Sequence, residues 1–139
     1  MGIAVFVADE QTAHPVDNIR WVRLAHSVLE AEGVHGDAEL SMLFVDEESI
    51  ADLNKRFLGK DGPTDVLAFP VDGPELADWP EDGPPPELGD VVVCPDAASD
   101  PLETLVVHGL LHLLGHDHET DDGEMLALQD RLVAEARGA

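Results

Sequence analysis

The sequence predicts an α/β (α+β) fold in which a mixed four-stranded sheet is packed with about four to five helices. Three observations predict it. Four short apolar or alternating runs, at residues 3–8, 39–45, 65–71 and 89–94, read as strands. Apolar residues recur at helical spacing between and after them, with acidic caps before and glycine stops behind most of these stretches. The resulting order, β-α-β-α-β-β-α-α, suits a mixed sheet with helices packed on it. At 139 residues the chain is one domain, 1–139, long enough to bury a real core.

Residues 3–8 open the chain as an apolar strand. Asp17 caps a helix that runs to Glu32, with Ile19, Val22, Ala25, Val28 and Leu29 facing the core and Gly33 ending it. In 39–45, Leu40, Met42 and Phe44 alternate with Ser41 and Leu43, as a half-buried strand requires. Asp46 caps the next helix, whose core face is Ile50, Leu53, Phe57 and Leu58, and Gly59 closes it. The third strand, 65–71, holds Val66-Leu67-Ala68-Phe69 between Pro63 and Pro70. Residues 72–88 contain five prolines and many acids, which predicts a mobile surface loop, a flap near the site. Residues 89–94 form the fourth strand. Asp100, Pro101 and Glu103 read as a helix start, with Asp100 as cap. Leu102, Leu105, Val106, Gly109, Leu110, Leu113 and Leu114 make that helix largely buried, and Gly115 is its left-handed stop. Met125, Leu128, Leu132, Val133 and Ala136 mark a last helix, starting near Thr120 or Asp121.

Hydrophobic residues make up 44% of the chain and aromatics only 4%, so aliphatic side chains must build the core. No apolar run approaches the roughly 20 residues of a membrane span. The N-terminus has no basic region and reads as a strand rather than a signal peptide. Cys94 is the only cysteine, which excludes an internal disulfide and fits a reducing cytoplasm. It reads as a small strand residue. The net charge is −23, from 30 acidic and 7 basic residues. Such a chain does not bind nucleic acid by bulk electrostatics, because phosphate contacts need clustered Lys and Arg. Any RNA site must be a local exception. Lys55, Arg56 and Lys60 form the one tight basic cluster, and Arg20 with Arg23 a smaller one.

Four of the seven histidines fall between 108 and 118. His108 and His112 stand four apart, one above the other on a helix face, so they can share one metal ion. His116 continues the series, but eight helical residues rise roughly 12 Å. Ligand nitrogens lie only about 2 Å from a zinc ion. An unbroken helix therefore cannot bring all three to one ion. Gly115 lets the chain turn first, which favours His118 as third ligand. His116 is then a group behind the ligands or an exposed residue, and Asp117 is placed to orient an imidazole by accepting its other N–H. Three protein ligands leave one zinc position open, as catalytic sites do. The peptidase signature His-Glu-x-x-His has a general base after its first histidine. Here that residue is Gly109, which argues against a peptidase.

The run His108-Gly-Leu-Leu-His112-Leu-Leu-Gly-His-Asp-His118 follows two other segments, Gly59-Lys-Asp-Gly-Pro-Thr64-Asp65-Val-Leu-Ala-Phe69-Pro and Gly89-Asp90-Val-Val. Together they resemble the YbeY family of bacterial rRNA maturation factors over nearly the whole chain. The resemblance implies a zincin-like fold, with one Zn²⁺ per chain held by His108, His112 and His118. It implies a cytoplasmic, zinc-dependent, single-strand-specific endoribonuclease. Such an enzyme acts in rRNA maturation, at the 3′ end of small-subunit rRNA, and in ribosome quality control. Its partners would be single-stranded RNA, rRNA and the small ribosomal subunit with its proteins, and no membrane. Many family members carry an arginine where this chain has Leu58, and leucine cannot pair with phosphate. Lys60, past the helix end and free to swing, is the candidate phosphate contact. Arg56, on another helix face, joins Thr64 and Asp65 as candidates for substrate binding. Thr64 and Asp65 equally suit a turn capped by side-chain bonds. Cleavage would proceed by metal-assisted hydrolysis or by attack of the RNA's own 2′-OH. Two other readings compete: a non-enzymatic ribosome-assembly factor with structural zinc, whose acidic face binds a basic ribosomal protein, and a small metallopeptidase.

Overall fold

In the computed structural model, which describes residues 2–34, 36–72, 80 and 82–138, strands and helices follow the expected order. They are β1 (Ile3–Asp9), α1 (Asn18–Ala31), β2 (Ala38–Phe44), α2 (Glu47–Leu58), β3 (Val66–Pro70), β4 (Glu87–Val93), α3 (Leu102–Leu113) and α4 (Glu124–Gly138). A short 3₁₀ turn, Pro95–Ala97, precedes α3. The sheet order is β1-β2-β4-β3. β1, β2 and β4 run parallel, and β3 returns antiparallel to β4 as an outer strand. The sheet is therefore mixed, with four strands and four α-helices among the described residues.

The period of two in β2 divides the two cores. Ala38, Leu40, Met42 and Phe44 are buried with α1, α3 and α4 on one face of the sheet. A smaller cluster of Val45, Ile50, Leu67, Val92 and Cys94 brings α2 onto the other face. Full burial of Ile50 contributes about 2 kcal/mol to holding α2 there. Burial pushes the Cys94 thiol up, as befits a small packed residue.

Several expected details differ. The core face of α1 is Trp21, Leu24, Ala25, Val28 and Leu29, while Ile19 is 64% exposed. Two positions before Trp21, Ile19 points to nearly the opposite side of a 3.6-residue helix. Phe57 and Leu58 are likewise exposed, at 60% and 52%, and Asn54 is buried in α2 instead. Its Nδ2 donates to the Gly62 carbonyl at 3.0 Å, which satisfies a polar group inside. Phe57 and Leu58 lie in the last turn of α2, beside the outer strand β3. Beyond that strand, no further strand of the described sheet covers them.

Asp100 does not cap α3. The helix begins at Leu102, flanked by Pro101, and no side chain caps it. The Pro101 carbonyl opens the ladder by accepting from Thr104 and Leu105. Glu103 instead binds Arg20 at 3.1 Å and Arg137 at 2.9 Å, tying α3 to α1 and α4. Burial opposes its ionisation, yet the bonds and charge of Arg137, together with the glutamate's own backbone N–H and the charge of Arg20, hold the carboxyl below its usual range. At α4 the cap is Asp121, which accepts the Gly123 and Met125 N–H groups, both at 2.9 Å. β4 begins at Glu87, earlier than expected, so Glu87 and fully buried Leu88 belong to the sheet rather than to the 72–88 loop. The cause is a paired edge: Asp72 donates its N–H to the Glu87 carbonyl and accepts the Glu87 N–H on its side chain. The centre of the predicted flap, 73–79 and 81, lies outside the described residues.

Two glycines let α3 lie close to the sheet. A Cβ on Gly109 would stand 2.6 Å from Val91 Cγ1 and 3.2 Å from Val66 Cγ2. One on Gly89, at φ +145°, would meet the Phe69 carbonyl oxygen and Leu113. Gly109→Ala is expected to cost about 1–3 kcal/mol despite alanine's better helix propensity. A lower urea midpoint with an unchanged slope would show it; an unchanged midpoint would mean that α3 lifts without cost.

Candidate metal centre

α3 presents His108 and His112 on one face because they are one turn apart. The helix then ends in a Schellman turn. Gly115, at φ +93°, donates to the His112 carbonyl, and His116 donates to the Leu111 carbonyl at 3.0 Å. The reversal returns His118 to the other two rings. Ligand atoms of His108, His112 and His118 all lie within 4.8 Å of one another. The two Nε2 atoms of α3 are 3.1 Å apart. Two nitrogens sharing a tetrahedral zinc ion at about 2 Å each would be about 3.3 Å apart. The donor set and its spacing therefore fit a single divalent ion.

His116 leaves this cluster. Its Nε2 meets Glu32 Oε1 at 2.6 Å, with both side chains largely covered, so it is an anchor to the end of α1 rather than a group behind the ligands or an exposed one. Asp117 accepts the N–H of Glu119 at 3.0 Å. The imidazole-orienting role expected of Asp117 belongs to Gln129 of α4, whose Oε1 accepts the His108 Nδ1–H at 2.7 Å. That bond leaves the lone pair of Nε2 facing its neighbours. Sequence reasoning missed Gln129, although one signal was present. It sits one turn after Met125 and one before Val133, a polar residue in the apolar stripe of α4, and it is 8% exposed. Burial first, then the neighbouring imidazoles of His108 and His118, pushes His112 below its ordinary value. It is thereby held in the neutral form that binds metals.

The centre opens on a cleft of about 330 Å³. Its walls include Val66, Ala68 and Pro70 of β3 and Leu58 of α2, with Gly109 on the helix side. No carboxylate can occupy position 109, because even a Cβ has no room there. None of the candidate substrate contacts is in its lining. Arg56 pairs with Asp52 at 3.2 Å on the exposed side of α2. Lys60 is exposed just past Gly59. Thr64 and Asp65 are half-buried ahead of β3, where the Asp65 carbonyl accepts the Cys94 N–H.

Among the described residues no helix is long and apolar enough to cross a membrane. The model of the family described as endoribonuclease YbeY matches residues 6–137. The endoribonuclease YbeY of Frankia alni is 45% identical, covering 95% of this chain and 82% of its own. That of Thermobifida fusca is 43% identical, covering 95% and 93%. A solution structure of a Thermotoga maritima protein is 28% identical, with a TM-score of 0.57 over 96% of this chain and 89% of that one. With an endoribonuclease model matched from the middle of β1 into the last turn of α4, and a histidine triad able to hold a metal at its cleft, this chain belongs to the endoribonuclease YbeY family.

Proposed function

We propose that residues 1–139 act as one cytoplasmic, zinc-dependent domain that cleaves single-stranded RNA during ribosomal RNA maturation. The substrate would be the 3′ end of small-subunit rRNA, with a role in ribosome quality control and the small subunit as partner. The observation that carries this reading is the triad of His108, His112 and His118 at the cleft of a YbeY-family endoribonuclease. A zinc ion held by these three imidazoles would supply a Lewis acid there. The chain's own residues hold that position. Gln129 keeps the Nδ1 proton of His108 turned away from the cleft, and the His116–Glu32 pair pins the turn that presents His118. Lys60 contacts the phosphate from beyond α2, while Thr64, Asp65 and Arg56 hold the strand on either side. Leu58 in the cleft wall favours one second reading, an assembly factor with structural zinc, because this wall residue carries no charge for a phosphate.

His112→Ala is expected to remove bound zinc and lower cleavage of a defined single-stranded RNA at least a hundredfold. The same variant, still folded and still maturing rRNA on the small subunit, would favour the assembly-factor reading instead. Gln129→Leu should weaken zinc binding about 10- to 100-fold, with cleavage restored at saturating zinc; unchanged affinity would deny Gln129 its orienting role. Proton competition for zinc at His112 is expected to set in at lower pH than for a free imidazole, because burial and the neighbouring imidazoles hold its proton affinity down. Titration at several pH values, with His112→Gln as control, reads this directly.

A further inference from the structure

The exposed end of α2 carries a group of side chains that zinc chemistry does not use. Phe57 is 60% exposed, in a chain with only six aromatic residues. Its ring meets Phe69 of β3 edge-on at 5.4 Å between centroids, which holds the ring in place without covering it. The Arg56 guanidinium lies over the Phe57 ring, 5.5 Å from its centroid, and is steadied by Asp52. On either side of Phe57 in sequence, Lys55, Arg56 and Lys60 supply three of the chain's seven cations. Single exposed apolar residues are ordinary. Here, however, Leu58 and Val71 are also exposed, at 52% and 55%, and the patch adjoins the metal cleft. Leu58 lines that cleft with Ala68 and Pro70, while Phe69 between them turns to the α2 face of the outer strand, where Phe57 meets it.

We propose that Phe57 is a stacking platform for an unpaired base of the RNA strand entering the cleft, with Arg56 over the opposite side of the ring and Lys55 and Lys60 meeting the flanking phosphates. The proposal rests on the endoribonuclease reading above. Charge selects the occupant. A chain of net charge −23 repels RNA over most of its surface, so a strand is drawn to the place where cations cluster. An aromatic face set among cations is how single strands are held without reading their sequence. The arrangement also selects for strandedness. Both faces of a base within a duplex are covered by its neighbours, whereas an unpaired base has a face free for Phe57. Leu58 then extends the apolar platform toward the centre.

The test uses the zinc-loaded protein and a short oligoadenylate containing 2-aminopurine, with the same strand in duplex form as comparison. Phe57→Leu keeps an apolar side chain but removes the π-face, and Phe57→Trp keeps the face. Phe57→Leu is expected to weaken single-strand binding on the order of tenfold or more. It should also abolish the quenching of 2-aminopurine and narrow the preference over duplex, with zinc content and melting temperature unchanged. Phe57→Trp should retain affinity and quenching. Should Phe57→Leu bind and discriminate like the parent, or Phe57→Trp fail as Phe57→Leu does, the platform is refuted. If His112→Ala still abolishes cleavage in those cases, the endoribonuclease reading survives. A parent protein that neither binds nor cleaves the oligomer overturns both.

Discussion

A continuous helix spaces His108 and His116 roughly 12 Å apart, so the metal centre depends on how the chain reverses after α3. That reversal is held twice. Backbone bonds from Gly115 and His116 close the helix end, and the His116 side chain then ties the turn to Glu32 at the end of α1. Together they set the His118 imidazole against the two on α3, with all ligand atoms within 4.8 Å.

The closeness of α3 to the sheet has a chemical consequence. Gly109 permits van der Waals approach to Val91 and Val66, and the same approach excludes any side chain at the position where a zinc peptidase carries its base. Packing and reaction type are thus coupled through one residue. The cleft that results is walled by aliphatic groups and opens at β3, the outer strand. Chemistry there must come from the metal position and from groups at the rim.

Charge divides the molecule in the same way. Acidic residues outnumber basic ones more than fourfold, 30 to 7, and the few cations are concentrated. Arg20 and Arg137 are engaged with Glu103, where they join three helices. Lys55, Arg56 and Lys60 are grouped at and just past the end of α2, the helix whose Leu58 lines the cleft. The first group serves the fold, and the second stands on the exposed surface.

Local physics made much of this legible. Period-two and period-3.6 patterns identify β2 and α3, since side-chain direction there follows directly from backbone geometry. The His108–His112 spacing and the glycine stop likewise need only helix dimensions. Other features were decided by contacts between segments distant in sequence. Gln129 reaches His108 from 21 residues away, and Glu32 reaches His116 from 84. Phe57 and Leu58 have a core-like spacing from Ile50, yet they are exposed because the sheet ends at β3. Asp100 and Glu103 look like a capping pair, but Pro101 opens the helix and two arginines claim the glutamate. The sequence by itself determined the elements, the apolar faces of most of them and the two histidines that share one helix face, because these depend on near neighbours along the backbone. Only the tertiary structure decided which polar groups orient those histidines and which apolar ones remain in solvent, because both depend on where the sheet ends and which helix lies across it.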